Sequence, residues 1–175
     1  MIITHIAVEG VGRFRGRHVV RGLGPGLNLL CAPNEAGKST IFRAVQACLF
    51  ARHDANTKET RALGSIGAQL PARVEVRFSC GDVDYRVEKT FLRSNATRLY
   101  RADQLVAEGR AADEALWSAL DLTPGARGFE DSAFGLLWVR QGQSFEPVKP
   151  SGEGQALLNR MIEAEVGKVL GGERG

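Results

Sequence analysis

The chain has 175 residues, 43% of them apolar and 25% charged, with a formal net charge of +3. That length suits one compact domain with a sizeable core, and that composition excludes a mostly disordered or fibrous chain. No stretch approaches the roughly 18 uninterrupted apolar residues of a membrane helix. Met1-Ile2-Ile3-Thr4-His5 lacks the basic start of a secretory signal. Three cysteines (Cys31, Cys48 and Cys80) do not make a disulfide framework, so the expected compartment is the reducing cytoplasm.

Residues 1–8 read as a strand, with Ile2, Ile3, Ile6 and Val8 set among small or polar residues. Gly10-Val11-Gly12-Arg13-Phe14-Arg15-Gly16 is a turn. Residues 18–23 and 27–31 read as two further strands joined by Gly24-Pro25-Gly26. Residues 38–51 read as a deeply buried helix, because Ile41, Phe42, Val45, Cys48 and Leu49 recur at three- and four-residue spacing. Residues 52–70 are polar, carry Gly64 and Gly67, and show no period. They read as a long surface excursion, of a kind that is uncommon unless functional or mobile.

A hairpin follows. Val74, Val76 and Phe78 alternate with Glu75 and Arg77, Cys80-Gly81-Asp82 turns the chain, and Tyr85, Val87, Lys89 and Phe91 alternate on the return. Residues 97–101 add a short strand and 111–120 a helix, with Trp117 in its core face. Residues 124–128 break the chain, 134–139 are a short apolar run, and 144–154 are loop-like. A final helix is expected over 155–170, with Leu157, Leu158, Met161, Ile162 and Val166 on one face. There is no internal repeat and no long heptad tract.

Ala32-Pro33-Asn34-Glu35-Ala36-Gly37-Lys38-Ser39-Thr40 fits the phosphate-binding pattern Gly, four residues, Gly-Lys-Ser/Thr, with Ala32 in place of the first glycine. Ala serves there as well as Gly provided its φ is negative. The chemistry requires this order. Backbone N–H groups of residues 34–39 and the start of the following helix present partial positive charge to phosphate oxygens. Gly37 permits close backbone approach. Lys38 reaches the β- and γ-phosphates of ATP, and the Ser39 hydroxyl ligates Mg²⁺.

Gly24-Pro25-Gly26-Leu27-Asn28-Leu29-Leu30 leading into Pro33–Thr40 resembles the N-terminal head segment of SMC-like, ABC-type ATPases. These include SbcC-type double-strand-break repair proteins and YhaN-like relatives. Leu137-Trp138-Val139-Arg140-Gln141-Gly142-Gln143 resembles the Q-loop of that family, at a suitable distance from Lys38. The resemblance implies that Gln141 contacts Mg²⁺ and the attacking water, and that Asn34 faces the γ-phosphate. It implies an α/β P-loop fold, the N-terminal lobe of an ABC-type head, with a mixed core sheet and an antiparallel sheet. Many relatives carry an arginine near the nucleotide at a position that aligns with Gly12; Arg13 is the candidate replacement. The alternative is that Arg13, Arg15, Arg17 and Arg21 form a solvated basic face.

Hydrolysis in this family also needs a Walker B strand ending in Asp-Glu and a Leu-Ser-Gly-Gly signature. Asp113-Glu114 sits in a helical pattern, and Ser151-Gly152-Glu153-Gly154-Gln155 reads as a loop. The chain therefore reads as one N-terminal lobe over residues 1–175, with the phosphate loop at 32–40 and the Q-loop near 141. Its expected partners are its own C-terminal lobe or a second head, DNA in the full assembly and, by resemblance, a nuclease. The reading from another class is a non-catalytic assembly or DNA-binding module. A small phosphate-loop kinase would need an acceptor site and base that the sequence does not display. Cys31 and Cys48 are expected in the core, and His5, His18 and His53 lack metal-ligand spacing. Arg52, Lys58 and Arg61 are candidates for contact with DNA phosphates or simply solvated.

Overall fold

The computed structural model describes residues 1–122, together with Asn159 and Glu163, which are both helical. The chain divides into two compact units, 1–124 and 125–175. The first holds strands β1 (Ile2–Glu9) and β2 (His18–Val20), helices α1 (Lys38–Phe50) and α2 (Lys58–Arg61), strands β3 (Ala72–Cys80), β4 (Val83–Phe91), β5 (Ala96–Arg101) and β6 (Gln104–Glu108), and helix α3 (Gly109–Ala119). The expected break at 124–128, the apolar run, the Q-loop and the loop at 144–154 lie outside the described residues. So does the 155–170 helix, apart from Asn159 and Glu163.

The described strands form one antiparallel sheet in the order β2-β1-β3-β4-β5-β6. Register follows from alternation, because shifting a strand by one residue would put its apolar set in water. Val76 pairs with Val87 and with Ile6, and Val87 pairs with Leu99, so one face is mainly apolar, with Lys89 and Thr97 as its buried polar members. That face packs on α1 and α3 through buried Ala44, Val45, Cys48 and Leu49 and through Ala112 and Leu116. The other face is polar. There Glu75 is buried beneath Arg17 (2.5 Å) and Arg77 (2.9 Å). Burial alone would raise the Glu75 carboxyl, but these two guanidinium groups hold it below its ordinary range.

Several expectations are corrected. Residues 27–31 form no strand. The Asn28 amide instead closes a turn, accepting from Gly24 N–H (3.0 Å) and donating to the carbonyls of Gly24 (2.7 Å) and Gly26 (3.1 Å). Every pairing among the described strands is antiparallel, so the mixed core sheet is not among them. Leu27 and Leu29 are left 97% and 82% exposed. Cys31 is exposed with them and is no core residue, whereas Cys48 is buried as expected. The second strand is three residues long rather than six, and β6 is an addition the sequence did not suggest.

The excursion after α1 is pinned at several points. It contains α2, whose N-cap Thr57 and Thr60 form a reciprocal capping box. Gly12 N–H donates to Leu63 O (3.0 Å), and Ile66 N–H donates to Gly12 O (2.7 Å). Arg93 donates to the Gln69 side chain. No helix among the described residues is long and apolar enough to cross a membrane.

Candidate phosphate-binding site

Gly37 caps the start of α1 in a left-handed conformation, with φ of 100°. That position favours glycine for two reasons. The φ is costly for any L side chain. A β-carbon there would also lie 2.4 Å from Cζ of Phe14. No side chain caps this helix end and its first turn carries no acid, so the positive end of the helix dipole is suited to an anion. Glu35 is also left-handed, at φ 64°, a conformation that costs a non-glycine residue about 1–2 kcal/mol. Ala32 stays out of the positive-φ region, so its substitution for glycine carries no backbone penalty.

Lys38 folds back over the loop. Its ammonium donates to Ala32 O (2.5 Å) and Pro33 O (2.8 Å). The Arg13 guanidinium donates to Glu35 O from the turn before β2. Two cations thus rest on loop carbonyls, on the same short segment as the first turn of α1. Ser39 and Thr40 follow in that turn, and Thr40 packs against Gly12, where an added β-carbon would lie 2.8 Å from Cγ2. This contact and φ 54° exclude an arginine at Gly12, which leaves Arg13 as the arginine at the loop. Asn34 is exposed at the rim. Pro33, Asn34, Glu35, Ala36, Gly37, Lys38, Ser39 and Thr40 are therefore contiguous around one helix end with Arg13. Gln141 lies outside the described residues.

The donor set suits a polyphosphate with its divalent ion: one ammonium, one guanidinium, a serine hydroxyl and uncapped helix amides.

The far end of α1 holds a cluster that sequence reasoning missed. Lys89 is fully buried and donates to Ala51 O (2.6 Å), the cap of α1, and to Asp113 Oδ1 (2.8 Å). Thr97 donates to the same carboxylate oxygen (2.9 Å), and the His53 ring and backbone N–H meet Oδ2 at 2.7 and 3.2 Å. Trp117 Nε1 donates to Leu49 O (3.2 Å). Burial would raise the Asp113 carboxyl, but Lys89 and then His53 outweigh it and hold it below its ordinary value. Asp113 is thus a structural partner on α3, as its helical pattern indicated, and the Cys48 thiol nearby is pushed up to about 12 by burial.

These elements have the α/β P-loop fold of the N-terminal lobe of an ABC-type head. The AAA domain family model matches residues 5–120, and the chain belongs to that family. A solved structure from work on the structural biochemistry of ATP-driven dimerization and DNA-stimulated activation of SMC ATPases is similar at 17% identity and a TM-score of 0.55. The alignment covers 93% of this chain and 99% of that one. The SMC head domain from Thermotoga maritima aligns over 61% of this chain and 39% of its own at 18% identity; its TM-score of 0.33 adds nothing to the fold assignment. No curated protein sequence matches.

Proposed function

We propose that this chain binds Mg·ATP at residues 33–40 as the N-terminal lobe of an SMC-like ATPase head. The observation that carries the reading is the loop–helix junction. Left-handed Gly37 starts α1, and the Lys38 ammonium lies on two loop carbonyls that phosphate oxygens can replace. Bound Mg²⁺ supplies charge neutralisation at the β- and γ-phosphates. Ser39 and, by resemblance, Gln141 are its protein ligands, Asn34 faces the γ-phosphate, and Arg13 adds a second cation. Gln141 and Lys38 carry the catalytic roles available within this lobe.

The remaining roles belong to a C-terminal lobe, the chain's own or a second head's, bringing Walker B and signature residues. ATP then acts as the glue of head engagement, coupled to DNA binding in DNA repair or genome maintenance in the cytoplasm, with a partner nuclease. Similarity to a structure described for ATP-driven dimerization and DNA-stimulated activation supports that extension. One observation favours the second reading, an assembly or DNA-binding module: Leu27 and Leu29 stand in solvent beside the loop.

Titration calorimetry decides between them. A charge-assisted bond contributes about 1.5–3 kcal/mol, so Lys38→Ala should weaken Mg·ATP binding roughly ten- to a hundredfold. Unchanged affinity in the folded variant would remove Lys38 from the site. Nucleotide-indifferent DNA binding with no ATP affinity would favour the module. Phosphate release by the 175-residue chain alone should stay far below about 1 per second, the low end of enzyme turnover; a rate near that value, abolished in Lys38→Ala, would show a catalytic base within this chain.

A further inference from the structure

Building on the nucleotide-binding reading, we infer that residues 63–66 of the excursion are a strap that positions the phosphate loop, acting through Gly12. Its grip is on the turn behind the loop. Both polar backbone groups of Gly12 go to it, the N–H to Leu63 O (3.0 Å) and the carbonyl to Ile66 N–H (2.7 Å).

Gly12 and its neighbours then make three contacts with the loop and helix start. Gly12 itself packs on Thr40 with no room for a β-carbon. Arg13 bonds the Glu35 carbonyl. The Phe14 ring lies against Gly37, also with no room to spare. These contacts are close-packed, so a displaced Gly12 must displace Thr40, Glu35 or Gly37. The turn's internal pair, Val11 N–H to Phe14 O (3.0 Å) and Phe14 N–H to Val11 O (2.8 Å), sets its shape but not its place.

The strap has its own anchor. Leu63 is buried, its N–H donates to Thr60 O (3.1 Å), and Gly64 N–H donates to Arg61 O (3.1 Å), extending α2. Thr60 is buried and donates to Ala55 O (2.9 Å). Ile66 has an exposed side chain, so its contribution is its N–H and not its packing. Leu63 and Ile66 are positioning residues, and the long excursion is the means by which the fold sets the register of its phosphate loop.

The test separates the N–H from the side chain. Ile66→Pro removes the donor; Ile66→Ala keeps it. Amide hydrogen exchange without nucleotide is read at Ala36 and Ile41, which bond to Pro33 O and Gly37 O inside the loop and first turn. Loss of one backbone bond should speed exchange at those two amides by roughly 3- to 10-fold in Ile66→Pro, with β3 and β4 amides unchanged and Ile66→Ala at the unmodified rate. Mg·ATP affinity should fall by a similar factor in Ile66→Pro only. Unmodified exchange at Ala36 and Ile41 in folded Ile66→Pro overturns the proposal. Should that variant not fold, Leu63→Ala loosens the same anchor, with the same expected and overturning results. An unmodified chain that binds no Mg·ATP overturns the nucleotide reading alone, because the exchange result needs no ligand.

Discussion

Two lysines meet helix α1, one at each end, and they are used in opposite ways. At its start Lys38 rests on the carbonyls of Ala32 and Pro33 in a rim of exposed residues. At its far end Lys89 reaches across from β4 to the carbonyl of Ala51, with a side chain 0% exposed and Asp113 as its counterion. A lysine on solvent-facing carbonyls can exchange them for another anionic or polar acceptor at little cost. A buried lysine cannot, since breaking its pair leaves a charge in a low-dielectric interior. One helix therefore has an exchangeable end and a locked end.

The largest expected effect is at the locked end. Asp113→Ala leaves Lys89 buried with one carbonyl, and should lower unfolding free energy by about 3–5 kcal/mol. The double replacement Lys89→Met with Asp113→Leu removes both charges and should recover most of that loss. Urea denaturation of the single and double variants measures it. If the single variant costs less than the double, the cluster is not a paired charge in the sense described.

The exchangeable end should behave conversely. Lys38→Ala, expected to weaken Mg·ATP binding, should shift unfolding free energy by no more than about 0.5 kcal/mol, because the lost bonds are partly solvated. A stability loss comparable to that of Asp113→Ala would abolish the contrast between the two ends. Gly37→Ala comes next. Its left-handed φ and the approach of Phe14 should cost about 1–3 kcal/mol, read as a lower melting temperature together with weaker nucleotide binding. A silent Gly37→Ala would mean that the loop relaxes freely around position 37.

Much of this was legible in the sequence because the relevant signals are local. Alternation in β3 and β4 indicated the hairpin, three- and four-residue spacing indicated α1, and the order Gly37-Lys38-Ser39 indicated the exchangeable end. Lys89 carried a signal too. It stands in the inward set with Val87 and Phe91, and a lysine in that register needs a buried partner. Nothing local named the partner, since Asp113 and His53 lie far along the chain. Residues 27–31 failed in the other direction. Their composition is that of a strand, but strand formation depends on a paired neighbour, and no described strand pairs with them. The strap was invisible for the same reason, being made of backbone groups brought to Gly12 by the fold.

The smallest expected effect is the pH response of stability, and its sign follows from three groups. His5 is held below its ordinary 6.5, first by burial and then by Arg77, Arg21 and Arg17 against the pull of Glu75. Below that pH the unfolded chain takes up a proton at His5 that the folded chain resists, so stability declines gently as pH falls from about 6.5. Asp113 and Glu75 are held below their ordinary 3.8 and 4.5. Their contribution is fully present above those values and is lost as pH falls through the lower folded values. The urea midpoint should therefore fall slightly between pH 7 and 5, and steeply below about pH 4. In the Lys89→Met, Asp113→Leu variant the steep part should shrink while the gentle part persists, because His5 and Glu75 sit on the opposite face of the sheet from the cluster. Lys38→Ala should track the unmodified chain throughout. A midpoint that rises toward pH 4, or a double variant with an undiminished acid loss, would show that Asp113 is not the group whose protonation unlocks the far end of α1.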